Sequence, residues 1–93
     1  MLRKMPDNRS VELQVFIETG CEVCERAVSL AEDVEKDYPK VAVQVIDMND
    51  ADGHRDDVFA VPTFVLNGRV FSLGNPQQQT LQAAIESLLR EQD

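Results

Sequence analysis

The sequence predicts an α/β fold, with a four-stranded mixed sheet built in the order β-α-β-(short α)-β-β-α. Three observations predict it. Val11, Leu13, Val15 and Ile17 alternate with Glu12, Gln14 and Phe16, the two-residue period of a strand. A helical run then separates this strand from a second one rich in valine, and two strands joined by a helix run parallel, by a right-handed crossover. Finally, Asn67-Gly68 stands between two short apolar runs, which is the strongest short signal for an antiparallel hairpin.

Taken in order, residues 1–9 are polar, carry Pro6 and read as a loose lead-in to a single domain spanning 1–93. The first strand covers 11–17 and is central, because Phe16 adds an apolar residue to its second face. Thr19-Gly20-Cys21-Glu22 fits a capping box, with Thr19 as N-cap and Glu22 at the third helical position. The helix predicted near 21–38 has its apolar stripe on Val23, Ala27, Leu30, Ala31 and Val34, and stops before Pro39. Val41, Val43, Val45 and Ile46 make the second strand, at 41–46. The acid-rich segment 48–58 has room only for a short helix. Strands at 63–66 and 69–73 flank the Asn67-Gly68 turn. A last helix near 76–90 is predicted with Asn75 as N-cap, Pro76 at the first position and a stripe of Leu81, Ile85, Leu88 and Leu89.

Composition narrows the function classes. The chain has 93 residues, enough for one domain of modest stability, and a core that is aliphatic, with four Phe and no Trp. With 17 Asp+Glu against 9 Lys+Arg, the formal net charge is −8. Such a surface repels phosphate backbones and anionic lipid, so neither nucleic acid nor membrane is an expected partner, and a partner with a basic docking surface is favoured. No stretch has the length of a membrane span, and Met1–Asn8 lacks the apolar core of a signal peptide. The expected compartment is therefore the cytoplasm, where two cysteines are reactive or metal-binding rather than stapling.

Those two cysteines are Cys21 and Cys24, spaced C-x-x-C at a strand-to-helix junction. At that junction the motif reads as a redox dithiol. Residues three apart are neighbours on a helix, and a helix start favours a thiolate through its dipole and its unpaired N–H groups. Cys21 is nearer the helix start and is assigned as nucleophile; Cys24, one turn further in, resolves the mixed disulfide. Two other classes remain open from sequence. A C-x-x-C supplies half of a zinc site, which would need His54 with Asp50, Asp52 or Asp56, or a second copy of the chain. The fold could also serve as an interaction module with incidental cysteines. A calcium loop is excluded, because aligning Gly53 with the invariant loop glycine puts Met48 at position 1 and Phe59 at position 12.

Two segments carry a family resemblance. Gly20-Cys21-Glu22-Val23-Cys24-Glu25-Arg26-Ala27 is similar to the glutaredoxin-type G-C-x-x-C-x-R-A, and Ala60-Val61-Pro62-Thr63-Phe64-Val65-Leu66-Asn67-Gly68 is similar to the thioredoxin-type V-P-T, strand and N-G turn. In order, over about residues 11–89, they resemble the thioredoxin–glutaredoxin superfamily. The resemblance implies a three-layer fold and a disulfide reductase that needs no cofactor beyond the Cys21–Cys24 disulfide. It also implies a cis Pro62 facing the cysteines, and a substrate-binding segment Val61, Pro62 and Thr63 in which the Val61 backbone pairs with an extended substrate. The implied partners are a protein disulfide and an upstream reductase, with the chain itself a monomer. The sequence departs from the family in four places. There is no Trp before the first cysteine and no Pro between the cysteines; Val15 stands where thioredoxins bury an acid; and Leu73-Gly74-Asn75-Pro76 replaces the glutathione-binding segment of glutaredoxins. Glu22 and Glu25 oppose further negative charge at the pair, so a reducing couple is expected, about −270 mV like thioredoxin rather than about −120 mV like the strong oxidants.

Overall fold

The computed structural model describes residues 11–18, 20–49 and 60–91. Its elements are β1 (Val11–Ile17), α1 (Val23–Asp37), β2 (Val41–Asp47), β3 (Thr63–Leu66), β4 (Arg69–Leu73) and α2 (Gln78–Glu91). They form one mixed sheet in the order β2-β1-β3-β4. β1 is parallel to β2 and antiparallel to β3, and β3 is antiparallel to β4. The short helix expected at 48–58 falls on residues 50–58, outside the described residues; 48 and 49 form a turn.

The alternation of β1 decides which residues face the helices. Val11, Leu13 and Val15 are fully buried against Ala27, Leu30, Ala31 and Val34 of α1 and Leu81 and Ile85 of α2. Each Val, Leu or Ile side chain among them contributes about 1.5–3 kcal/mol by leaving water. Phe16 points the other way and packs with Val65, Ile46 and Met48 in a smaller cluster on the opposite face. β1 is therefore central with apolar residues on both faces, as its pattern implied. On the edge strand β2, burial falls along the chain from Val41 to the exposed Val45.

Three local expectations are corrected. The first is the start of α1. Its N-cap is Glu22, already in helical conformation and with no side-chain cap, so Cys21 precedes the helix instead of lying in its first turn. Thr19 is outside the described residues. The lead-in is closed by backbone bonds of the tighter i→i+3 kind: the N–H groups of Cys21, Cys24 and Glu25 donate to the carbonyls of Glu18, Cys21 and Glu22, each at 3.2 Å. Gly20, at φ +86°, makes the corner between β1 and this turn. These bonds satisfy the donors that a capping side chain would have served.

The second correction concerns the stripe of the same helix. The buried stripe of α1 is Cys24, Ala27, Leu30, Ala31 and Val34; Val23, the first residue of the helix, is exposed although its four-residue spacing from Ala27 sets it on the same face. The third concerns α2, which begins at Gln78. The Leu81 N–H donates to the Gln77 carbonyl at 3.0 Å, so Asn75 and Pro76 lie before the helix and do not cap it.

The two helices are tied at one point besides their core. Tyr38 terminates α1, its N–H bonded to the Val34 carbonyl at 2.8 Å, and its phenol O–H donates to Glu86 of α2. That hydrogen bond, with partial burial and the charges of Glu86 and Asp37, pushes the phenol up to about 12 from its ordinary 10.0. A raised phenol stabilises the fold while it is protonated; the contribution is complete below pH 10 and is lost as pH rises through about 12. Tyr38→Phe should therefore cost up to about 1 kcal/mol in urea unfolding at neutral pH, limited because Glu86 is exposed. The gap from wild type should close between pH 10 and 12.

Candidate active site

The site lies where β1 runs out towards α1. Cys21 and Cys24 are joined in a disulfide, with their Cα atoms 5.2 Å apart, inside the span that such a bond requires. The two cysteines differ in burial. Cys21 is half-buried before the helix, while Cys24 is on the core-facing stripe of α1 and only 3% exposed. Both line an open hollow of about 320 Å³, with Ile17 and Val28 as apolar wall and Glu18, Glu22 and Glu25 as its charged rim. Among the described residues three carboxylates and no cation line this hollow, so a thiolate formed there would meet like charge.

Register brings the second motif to the same end of the sheet. β1 pairs with β3 through Phe16 and Thr63, so the residues before β3 lie alongside those after β1. The Val61–Pro62 peptide bond is cis. Pro62 is buried and Val61 half-buried, and Val61 lines a second hollow with Ala60, Met48 and Glu18. Glu18 thus borders both hollows, and its carbonyl also receives the Cys21 N–H. Thr63 is fully buried, and its hydroxyl donates to the Ala60 carbonyl at 2.6 Å, closing the turn that carries Val61 and Pro62.

A third segment, which the sequence pattern did not assign to the site, joins the other two. The Gly74 N–H donates to the Pro62 carbonyl at 2.7 Å. The Asn75 side-chain amide donates to the Val23 carbonyl at 3.0 Å, between the cysteines. Asn before Pro ahead of a helical stripe reads as a cap, so nothing in the local pattern distinguishes this long-range bond. Val23 and Leu73, 57% and 58% exposed, stand on these same segments as apolar side chains open to solvent.

No group of three or more His, Cys, Asp or Glu is placed to hold a metal ion among the described residues; Asp50, Asp52, His54 and Asp56 lie outside them.

The family model of the thioredoxin domain matches residues 11–86, most of the chain and both motifs. The chain belongs to the thioredoxin domain family. Solved structures of thioredoxins agree. A thioredoxin variant from Halobacterium salinarum is 26% identical, with a TM-score of 0.69 over 85% of this chain and 74% of that one. A thioredoxin from Malassezia sympodialis is 25% identical, with a TM-score of 0.67 over 86% and 76%. The oxidised thioredoxin of Plasmodium falciparum, at 22% identity and a TM-score of 0.66 over 86% and 82%, shares the fold. A search of curated proteins finds no match. A thioredoxin fold with a C-x-x-C disulfide supports thiol–disulfide chemistry in general terms.

Within this thioredoxin-type site, Gly74 holds φ +96°, a conformation that a side chain disfavours by about 1–2 kcal/mol. A Cβ there would meet no atom within 4 Å, so the cost is backbone strain alone. Gly74→Ala should lower stability to urea by about that amount, without the larger loss that a steric clash would bring.

Proposed function

We propose that the protein is a thiol–disulfide oxidoreductase that reduces protein disulfides through Cys21 and Cys24. The observation that carries this reading is the disulfide at the strand-to-helix junction, with Cys21 half-buried and Cys24 only 3% exposed. In the reduced protein, the Cys21 thiolate attacks one sulfur of a substrate disulfide. A Cys21–substrate bond forms, the substrate S–S bond breaks, and the leaving sulfur departs as thiolate and takes a proton. Cys24, deprotonated, then attacks Cys21 Sγ. The Cys21–Cys24 bond forms, and the second substrate sulfur leaves in the same way. The substrate gains two electrons and two protons, which the cysteine pair has lost. A dithiol reductant returns the pair to its starting state, and no further cofactor takes part.

Burial supports this division of roles, since an incoming disulfide reaches a half-buried cysteine before one that is 3% exposed. In this reading the Val61 backbone pairs with an extended substrate segment, Pro62 lines the approach and Thr63 holds the turn through Ala60. Val23 and Leu73 give the substrate apolar contact beside the sulfur. The glutamates around the pair favour basic substrates and disfavour the anionic glutathione tripeptide. No helix among the described residues is long and apolar enough to cross a membrane. In this reading the protein works in the cytoplasm as a monomer, recharged there by an upstream reductase.

Two variants test the assignment. Cys21→Ser should abolish reduction of a protein disulfide, and Cys24→Ser should accumulate a substrate adduct that a thiol reductant releases. Non-reducing electrophoresis reads both. If the adduct instead formed with Cys21→Ser, the two roles would be exchanged. If both variants reduced substrate at the wild-type rate, the oxidoreductase reading would fail.

A further inference from the structure

The amide of Asn75 grips the peptide group that joins the two halves of the C-x-x-C. Its Nδ2 donates to the carbonyl oxygen of Val23 at 3.0 Å, across 52 residues of sequence. The partner is an acceptor only, so the amide must present its nitrogen there. A helical carbonyl ordinarily receives the N–H four residues on; it has a second lone pair, and Asn75 can use that one. The same rigid peptide plane carries the Cys24 N–H, which donates to the Cys21 carbonyl at 3.2 Å. The plane that leads into Cys24 is therefore held at both ends.

The grip is itself anchored. Ser72 donates through its hydroxyl to the Gly74 carbonyl at 2.9 Å, and the Gly74 N–H is bonded to the Pro62 carbonyl at 2.7 Å. Asn75 does not serve α2, whose first backbone bond is received by Gln77. Its amide thus acts on the cysteine loop and not on the helix it precedes.

We propose that Asn75 is a positioning residue for the resolving step, holding the Cys24 backbone so that its sulfur is aligned with Cys21 Sγ in the mixed disulfide. The inference rests on the roles given to the two cysteines above. Resolution is intramolecular, and its rate depends on how narrowly the reacting atoms are held in attack geometry. The first attack, by Cys21 on an outside disulfide, does not involve the Val23–Cys24 peptide. Loss of the amide donor therefore slows the second step and leaves the first nearly unchanged, whereas a general loosening of the fold would not separate them.

The aromatic disulfide 5,5′-dithiobis(2-nitrobenzoate) resolves the two steps in stopped flow. Reduced protein releases one coloured thiolate when Cys21 attacks and a second when Cys24 resolves the adduct. Asn75→Ala should slow the second release about fivefold to tenfold, with the first within about twofold of wild type. Asn75→Asp keeps the size of the side chain but turns a carboxylate towards the Val23 carbonyl; it should slow the second release at least as much, and it guards against a folding defect peculiar to Ala. A second release at the wild-type rate in both variants, or an equal slowing of both releases, would overturn the positioning role. If wild type itself stopped after one release, the roles of the cysteines would fail and this inference with them.

Discussion

The antiparallel pairing of β1 with β3 is the constraint on which the site depends. Because Phe16 faces Thr63 across that ladder, the turn that bears Val61 and Pro62 and the loop that bears Cys21 leave the sheet at the same end. The pairing is fixed by burial on both faces: Val15 and Phe64 belong to the helix-covered core, Phe16 and Val65 to the cluster on the other face. A slip of one residue would exchange these sets and move the sulfur away from the proline turn in the same step. At this site, fold stability and chemistry are the same interaction seen at two scales.

Around that junction the chain uses backbone atoms more than side chains. The Cys21, Cys24 and Gly74 N–H groups are all received by nearby carbonyls, and Thr63 and Asn75 add one side-chain bond each to further carbonyls. This leaves side-chain identity free where the family pattern is absent. Val15 is fully buried where a thioredoxin has an acid, and Glu22 and Val23 between the cysteines are both exposed. The charge that surrounds the sulfurs comes instead from glutamates at the rim.

Much of this was legible in the sequence because periodicity and turn chemistry act locally. The bounds of β1 follow from alternation, and those of β3 and β4 from short apolar runs either side of Asn67, whose φ of +51° and side-chain bond to the Glu12 N–H suit a tight turn laid against β1. Helix starts were less legible. Thr19-x-x-Glu22 and Asn75-Pro76 both resemble caps, but the first turn of α1 closes on backbone carbonyls and Asn75 is drawn to Val23 by tertiary structure. Local propensity cannot rank a cap against a partner 52 residues away. Periodicity puts Val23 on the face of Ala27 and Leu30, but it does not show that this first residue of the helix is left 57% exposed while Cys24 is buried.

The central claim is that Cys21 and Cys24 form a reversible two-electron couple, made reducing by the carboxylates beside it. With Glu18, Glu22 and Glu25 lining the hollow and no cation among its described walls, a thiolate would gain little stabilisation there, which would favour the disulfide over the dithiol. The most direct test is the reduction potential of the pair, measured by equilibration against glutathione buffers with thiols counted by alkylation. The account predicts a single two-electron transition at about −270 mV. A value on the oxidising side of about −180 mV, or the absence of any two-electron transition, would contradict it.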